Sequence, residues 1–554
     1  MPMIDPARAL QRLDSLKQLR STFDNHWEEV RKITFPTAAE FTTRAIRGAK
    51  LHKDVYDGSA EMASETLAAA FFGMATNPAT KWLGLVPENM ALMEADGVAG
   101  WMEQATQAML AMFNSPRTNF ATQQFLKLQN FVSFGTGPQF IAELPGGVPL
   151  FQTAALAECF IAEGPEDRVD TVYRLYTRTA RQLFDRFGGR LDADTIKKAD
   201  DPKRQDDSIE CLHVVEPRPD ADREPGRIDV RNMPWREAFI TVEKKHLVAE
   251  SGFTEFPWVV PRMNPRPGEV YGRGRGMTAL ADAKMLQRSM KSTIRASEKS
   301  TDPPIQIPDD GVMGPIRMTA AGINVIRADL LARGGIRAID TRADPRGGED
   351  FNQRIRERID RAHWLPILEA FTDPKMTATQ IIKLDEQTLR FIGPMLGRLQ
   401  LEDLAPMIDR CFPIMLRGGR FARPPRALEG QRVGVEFVSP IAKAQRLEEA
   451  RGLAETLDLL GPLLQDREDI LDNLDTDKAF RGVANLRGVP VDWLRSLRDR
   501  SAIRAARNQA AAQAAQSQAF QGEVPAAAKG LKALGDAGML PGGGQPANEN
   551  RQAA

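Results

Sequence analysis

Net charge is the first thing this 554-residue chain lacks, because 74 Lys+Arg stand against 74 Asp+Glu. A protein that coats nucleic acid by bulk charge is therefore excluded, and any contact with a polyanion must come from local patches. Cysteine is scarce too: Cys159, Cys211 and Cys411 are too far apart for a disulfide framework or a C-x-x-C metal knuckle. The N-terminal MPMIDPARALQRLDSLKQLR has no apolar h-region, and no run of 18 apolar residues occurs. Neither secretion nor membrane spanning is expected, and synthesis in the cytosol is. The dipeptide Gly-Lys is absent, which removes the phosphate-binding loop of a P-loop motor, and HExxH, G-x-S-x-G and EF-hand patterns are missing as well. The five histidines (His26, His52, His213, His246, His363) form no ligand pair at helical spacing. They are expected to be structural or surface residues. No catalytic, cofactor or metal site is expected, and the protein is not expected to be an enzyme.

What the chain does contain is length for three or four packed units at roughly 150 residues each. Leu10, Leu13, Leu16, Phe23, Trp27 and Val30 recur at helical spacing up to Pro36. A second, Ala-rich helix opens after Asp57-Gly58-Ser59, with Ser59 expected as its N-cap, and closes at Asn77-Pro78. From about residue 134 to 260, runs such as TVYRLYTR, ECLHVVEPR and REAFITVE alternate with turn residues and predict a mixed α+β region.

The stretch GEVYGRGRGMTALADAKMLQRSMKSTIRASEKSTDPPIQIPDDG, from Gly268, changes character three times. Gly272, Gly274 and Gly276 form a joint at the base of a helix expected over 277–300. On it Lys284, Arg288, Lys291 and Arg295, spaced 4, 3 and 4, share one face, and Leu280, Leu286, Met290 and Ile294 occupy the other. A turn-rich segment follows, containing IQI, INVI and RAI. Asp309-Asp310 within it fits a turn better than a metal pair. A second helix is expected over 349–370, with Arg354, Arg358 and Arg361 interleaved with Glu357 and Asp360. Two helices flanking a small module make an antiparallel stalk with a head. The basic stripes have two readings: a solvated or intersubunit face, or the wall of a channel.

Asp373-Pro374 breaks the chain before its longest apolar periodicity, which Pro394, Pro406 and Pro413 should kink and which must be largely buried. VGVEFVSP predicts a strand, polar helices extend to about residue 500, and the Ala/Gln/Gly-rich end predicts a helix passing into a disordered tail. RGG triplets at Arg333, Arg346 and Arg417 are too isolated for an RNA-binding tract.

WEEVRKITFP from Trp27, VYDGSAEMASETLAAAFFGMATNPATKWLGL from Val55, FVSFGTGPQF, GEVYGRGRGMTALADAK, TDPPIQIPDDG, KMTATQIIKLDEQ and IGPMLGRLQLEDLAPMIDRCFPIML occur in an order and spacing that resemble the portal proteins, or head-to-tail connectors, of short-tailed bacteriophages. The resemblance covers roughly residues 8–440. It implies a mostly helical α+β portal fold with wing, stem, clip and crown, twelve copies closing into a ring at one capsid vertex. The implied regions are an N-terminal wing over 1–276, a first stem helix over 277–300, a clip over 301–348 and a second stem helix over 349–371. A channel loop and long wing helix follow over 372–418, then a C-terminal wing and crown over 419–500 and a crown helix with tail over 501–554. Thr372, Asp373, Pro374, Lys375 and Met376 would form the channel loop. The implied partners are double-stranded DNA passing without sequence readout, the terminase motor, a tail adaptor, and the major capsid and scaffolding proteins, with no membrane. The implied location is the virion, with assembly in the host cytoplasm. A ring-shaped head-tail adaptor or other tail component is the alternative, and a packaging enzyme is less well supported.

Overall fold

Helix α1 (Pro6–Thr34) starts where its sequence requires: Asp5 accepts the amide of Ala7 at 2.9 Å, and Pro6 takes the first position, where no N–H is needed. Its apolar stripe is buried at Leu13, Leu16, Trp27 and Val30, and it stops at Phe35, before Pro36. The computed structural model describes residues 3–437 apart from 43–47, 49, 53–54, 96, 225, 228, 302–304, 307–328, 330–336, 339–344, 370–391 and 432, then 452, 456, 476–486 and 500–514. The chain divides into two units, Met1–Gln445 and Arg446–Ala554.

In the first unit, five antiparallel strands form one sheet in the order β4-β5-β6-β7-β8. They are β4 (Cys159–Glu163), β5 (Val169–Thr179), β6 (Ser208–Pro217), β7 (Trp235–Thr241) and β8 (His246–Phe253). The three runs predicted as strands are β5, β6 and β7. Their alternation serves two faces. Phe160, Tyr173, Leu212, Val214, Ala238 and Ile240 pack under α1 with Leu13 and Leu16, whereas Tyr176, Cys211, Phe239 and Val248 pack under the short helices 180–187 and 193–200. Because both faces are covered, β6 is nearly continuously buried.

Helix α2 (Ser59–Ala75) corrects one expectation. Ser59 is not the cap: Gly58 holds that position, and the Asp57 carboxylate accepts the Ser59 amide at 2.9 Å. Helix α2 packs on α4 (Phe120–Phe134) through Phe71 and Phe131, edge to face at 6.1 Å. A ribbon joins β1 (Leu83–Pro87) to β12 (Val433–Phe437), the predicted VGVEF strand, with Leu83 opposite Phe437. A third sheet has the order β3-β2-β9, from β2 (Gln139–Leu144), β3 (Val148–Thr153) and β9 (Trp258–Val259).

The long apolar periodicity is helical over 392–417, and its regular α-helical bonding is interrupted beside Pro406. Pro406 has no N–H for the carbonyl of residue 402, and its ring would clash with it. The helix widens into a π turn at Gln400–Leu404, where the amide of Ala405 reaches back to the Gln400 carbonyl. Before the turn, Ile392, Met395 and Leu399 pack with Leu67, Phe71, Leu128 and Phe131. After it, Met407, Ile408, Cys411 and Ile414 enter a separate core around Trp82, Met109 and Phe151.

In the second unit the helix Thr476–Leu486 presents Asp477 to Arg500 at 2.9 Å and to Arg504 at 2.7 Å. Residues 501–514 form an exposed helix. The predicted tail beyond them lies outside the described residues.

Candidate functional site: the paired helices and their glycine base

Helices α7 (Arg275–Thr301) and α8 (Pro345–Ala362) run antiparallel. The Asn352 amide donates to Thr293 Oγ1 at 3.2 Å near one end, and Arg358 meets Asp282 at 2.6 Å toward the other. Twenty-seven residues give α7 a length of about 40 Å at 1.5 Å per residue. Ala283, Leu286, Ile355 and Ile359 form the seam, closed at its base by Ala60 and Ala63 of α2. Helix α7 begins two residues before its expected start. Helix α8 begins earlier than expected and ends sooner, at a turn through His363 and Trp364 before the short helix Leu365–Glu369. Ile294, assigned to the apolar side, is 39 % exposed, and its neighbour Thr293 meets Asn352 of α8 instead.

The basic residues divide into those with a partner and those without. Lys284 is 2.6 Å from Glu29 of α1, Arg358 is held by Asp282, and Lys291 lies over the Tyr56 ring at 5.2 Å. Arg361 approaches Glu357 of its own helix at 3.9 Å. Arg288, Arg295 and Arg354 are exposed and make no ion pair with any described residue. Held and open cations therefore alternate along α7, with Lys284 and Lys291 partnered and Arg288 and Arg295 without an ion pair among the described residues. At the head, IQI and RAI supply a two-stranded ladder, with Ile305 opposite Ala338 and Gln306 opposite Arg337. INVI, Asp309-Asp310 and the five residues Thr372 to Met376 lie outside the described residues.

At the base, the glycines are needed for contact and not for unusual dihedrals. A Cβ on Gly274 would sit 2.5 Å from the Val132 carbonyl oxygen and 2.6 Å from the Ser133 oxygen. One on Gly276 would lie 2.7 Å from the Ser133 oxygen, and one on Gly272 would collide with the Gly135 carbonyl. None of the three has a positive φ, whereas their partner Gly135 has φ +90°. The crossing is sewn by Met263 N–H to the Gly135 carbonyl at 2.7 Å and by Gly272 N–H to Thr136 Oγ1 at 3.0 Å. The chain thus enters α7 through a locked backbone-on-backbone crossing with the end of α4.

Sequence reasoning missed two buried ionic groups beside this base. Lys127 of α4 is fully buried and pairs with Asp403, whose other oxygen accepts from Gln124 at 2.9 Å. Arg262 binds Glu402 at 2.9 Å and Glu163, and donates to the Asp167 carbonyl at 2.8 Å. The π turn carries both acceptors. The available signal was the pair Glu402-Asp403 inside an otherwise apolar periodicity.

Nothing among these groups is arranged for covalent chemistry. Burial pushes the thiols of Cys159 and Cys211 up to about 12 and raises that of Cys411 as well. In the buried set Ser251, Glu237 and His213, the carboxylate lies between hydroxyl and imidazole, so His213 is not placed to take the serine proton. Among the described residues no cluster of His, Cys, Asp or Glu is suited to a metal ion, and no helix is long and apolar enough to cross a membrane.

Residues 7–494 match the model of the bacteriophage head to tail connecting protein family. The chain belongs to that family. Its relatives include the probable portal protein of Bordetella phage BPP-1, 28% identical over 487 residues and covering 87% of each chain. The portal protein of Salmonella phage epsilon15 is 28% identical over 532 residues, covering 92% of this chain and 93% of that one. A chain from the neck of an empty GTA particle aligns with a TM-score of 0.37 and 10% identity over 78% of this chain. The connector's role is structural, at the joint between phage head and tail.

Proposed function

We propose that this connector is the portal subunit, twelve copies of which form the ring at one capsid vertex. The ring conducts double-stranded DNA during packaging and ejection and is the docking platform for terminase motor, tail adaptor, capsid and scaffolding proteins. The observation that carries this reading is the likeness to two phage portal proteins along nearly their full lengths, 87% and 93%. In this reading α7 and α8 are the stem, the ladder at their outer end belongs to the clip, and the sheet region is the wing. Residues 419–554 supply the C-terminal wing, the crown and the tail. Thr372 to Met376 form the channel loop, with Lys375 touching passing phosphate. The locked glycine crossing fixes the angle at which the stem leaves the wing. Arg288, Arg295 and Arg354, without an ion pair among the described residues, meet either a neighbouring stem or DNA, and no base readout is involved. The protein has no catalytic activity of its own, and assembly takes place in the host cytoplasm.

The test is negative-stain imaging and an ATPase assay of the purified full-length protein. Rings near twelvefold with an axial hole and no ATP hydrolysis are expected. A monodisperse monomer at high concentration, or robust hydrolysis without a partner, would overturn the reading.

A further inference from the structure

The segment after the long helix concentrates charge in a chain that has none overall. Residues 416–431, LRGGRFARPPRALEGQ, carry Arg417, Arg420, Arg423 and Arg426 at intervals of three and only one acid, Glu429. Arg417 is satisfied by Glu143 at 3.0 Å and Glu255 at 2.7 Å. The other three are exposed, and no carboxylate among the described residues pairs with them. Among the described residues Arg420 donates only to the Gly146 carbonyl, at 2.9 Å.

The backbone beneath them is fixed at the intervening positions. Gly418 packs directly on Gly147, an approach that leaves no room for a Cβ on either residue. Phe421 stacks on Phe412 at 5.1 Å and meets the Trp101 ring edge-on at 6.2 Å, while Trp101 Nε1 donates to the Ala422 carbonyl at 2.9 Å. Pro425 adopts polyproline dihedrals, φ −57° and ψ 148°, and Leu428 is buried in the core. Anchors at 418, 421, 425 and 428 thus alternate with arginines at 420, 423 and 426. Arg426 opens the short 3-10 turn Arg426–Leu428, which follows Pro425 directly. The three arginines thus lie within seven residues of chain on an anchored support.

We propose that this anchored arginine row is a second DNA-contact surface, separate from the helix pair, which grips the phosphate backbone of double-stranded DNA without reading sequence. The inference rests on the portal reading, which brings DNA to the protein. Phosphates are favoured over an acidic peptide because a row of solvent-facing guanidinium groups matches a repeating line of charge. The aromatic residues that would anchor a peptide are turned inward, against the row's own support.

The test compares full-length wild type with R420Q/R423Q/R426Q and R420K/R423K/R426K in binding a 40-base-pair duplex across a salt series. Three lost phosphate contacts should flatten the slope of log affinity against log salt by about 2.7 and weaken binding roughly tenfold or more at moderate salt. The lysine variant should retain the slope. An unchanged slope in the glutamine variant overturns the proposal, as does loss of binding to poly-L-glutamate with DNA binding intact, which would assign the row to an acidic protein. Ring formation is scored on the same preparations. Absence of rings in wild type counts against the portal reading, whereas normal rings with an unchanged slope count against the arginine row alone.

Discussion

The guanidinium of Arg275 lies 3.5 Å from the centroid of the Trp364 ring, joining the first turn of α7 to the turn that ends α8. Arg275 has no carboxylate partner among the described residues, and burial lowers its pKa to about 10. The ring face supplies the negative potential that a carboxylate would otherwise provide. Trp364 holds φ +58°, a left-handed value that is uncommon for a bulky residue, so the packing of the ring must outweigh local strain. Trp364→Leu should therefore lower stability by about 1–2 kcal/mol, and Trp364→Phe by less, read as urea midpoints.

The neighbouring residue predicts a pH dependence. His363 donates through Nδ1 to the Ile359 carbonyl at 2.9 Å and accepts from the Ser64 hydroxyl at 3.0 Å, and burial lowers its pKa to about 4. The folded protein therefore binds this proton less readily than the unfolded chain does. Stability from this site is complete above pH 6.5 and is lost as pH falls toward 4. Between pH 7.5 and 4.5 the wild type should lose about 2–3 kcal/mol more than His363→Gln, measured by chemical denaturation at both pH values.

Glycines at two positions should respond in opposite directions. Gly274→Ala drives a methyl group into the carbonyl oxygens of Val132 and Ser133 and should cost about 3 kcal/mol or prevent folding. Gly397→Ala, on a helical turn with nothing within 4 Å, should stabilise by up to about 1 kcal/mol. Thermal unfolding of the two variants side by side checks the contrast.

Removing one member of the buried pair should harm more than removing both. Lys127→Met leaves Asp403 buried without its cation and is expected to destabilise by about 3–5 kcal/mol. Adding Asp403→Leu should recover a large part of that loss. A double-mutant cycle in denaturant measures the coupling.

The open arginines of the helix pair give an assembly prediction. Arg288→Glu with Arg295→Glu should reduce ring yield by sedimentation, because a neighbour's acids would meet like charge. Normal rings holding less DNA per capsid would instead place both residues on the channel wall. Lys284→Gln, which removes only an exposed pair with Glu29, should change stability by less than about 1 kcal/mol.

What could be read from the chain follows its periodicities. The stripe of α1, the three strand runs and the antiparallel pair were visible because each repeats a burial pattern over many residues. The ion pairs at Lys127 and Arg262 were not, because each joins single residues distant in sequence, and the Asp57–Ser59 contact and the π turn, though local, follow no burial period. Gly272, Gly274 and Gly276 stood out in the sequence, but the close contact that requires them is with Gly135, which no local pattern links to Gly274. Arg288 and Arg358 looked alike on their helices, and only tertiary structure separated the open cation from the one held by Asp282.

The β1–β12 ribbon sets a timetable for synthesis. Leu83 cannot find Phe437 until roughly four-fifths of the polypeptide has left the ribosome. At about 5–20 residues per second, the edge of β1 and the apolar groups beside it wait some 20 to 70 s for their partner. During that interval the nascent protein offers an incomplete core to chaperones and to other nascent copies. Chains released before Phe437 would have no means of closing this ribbon.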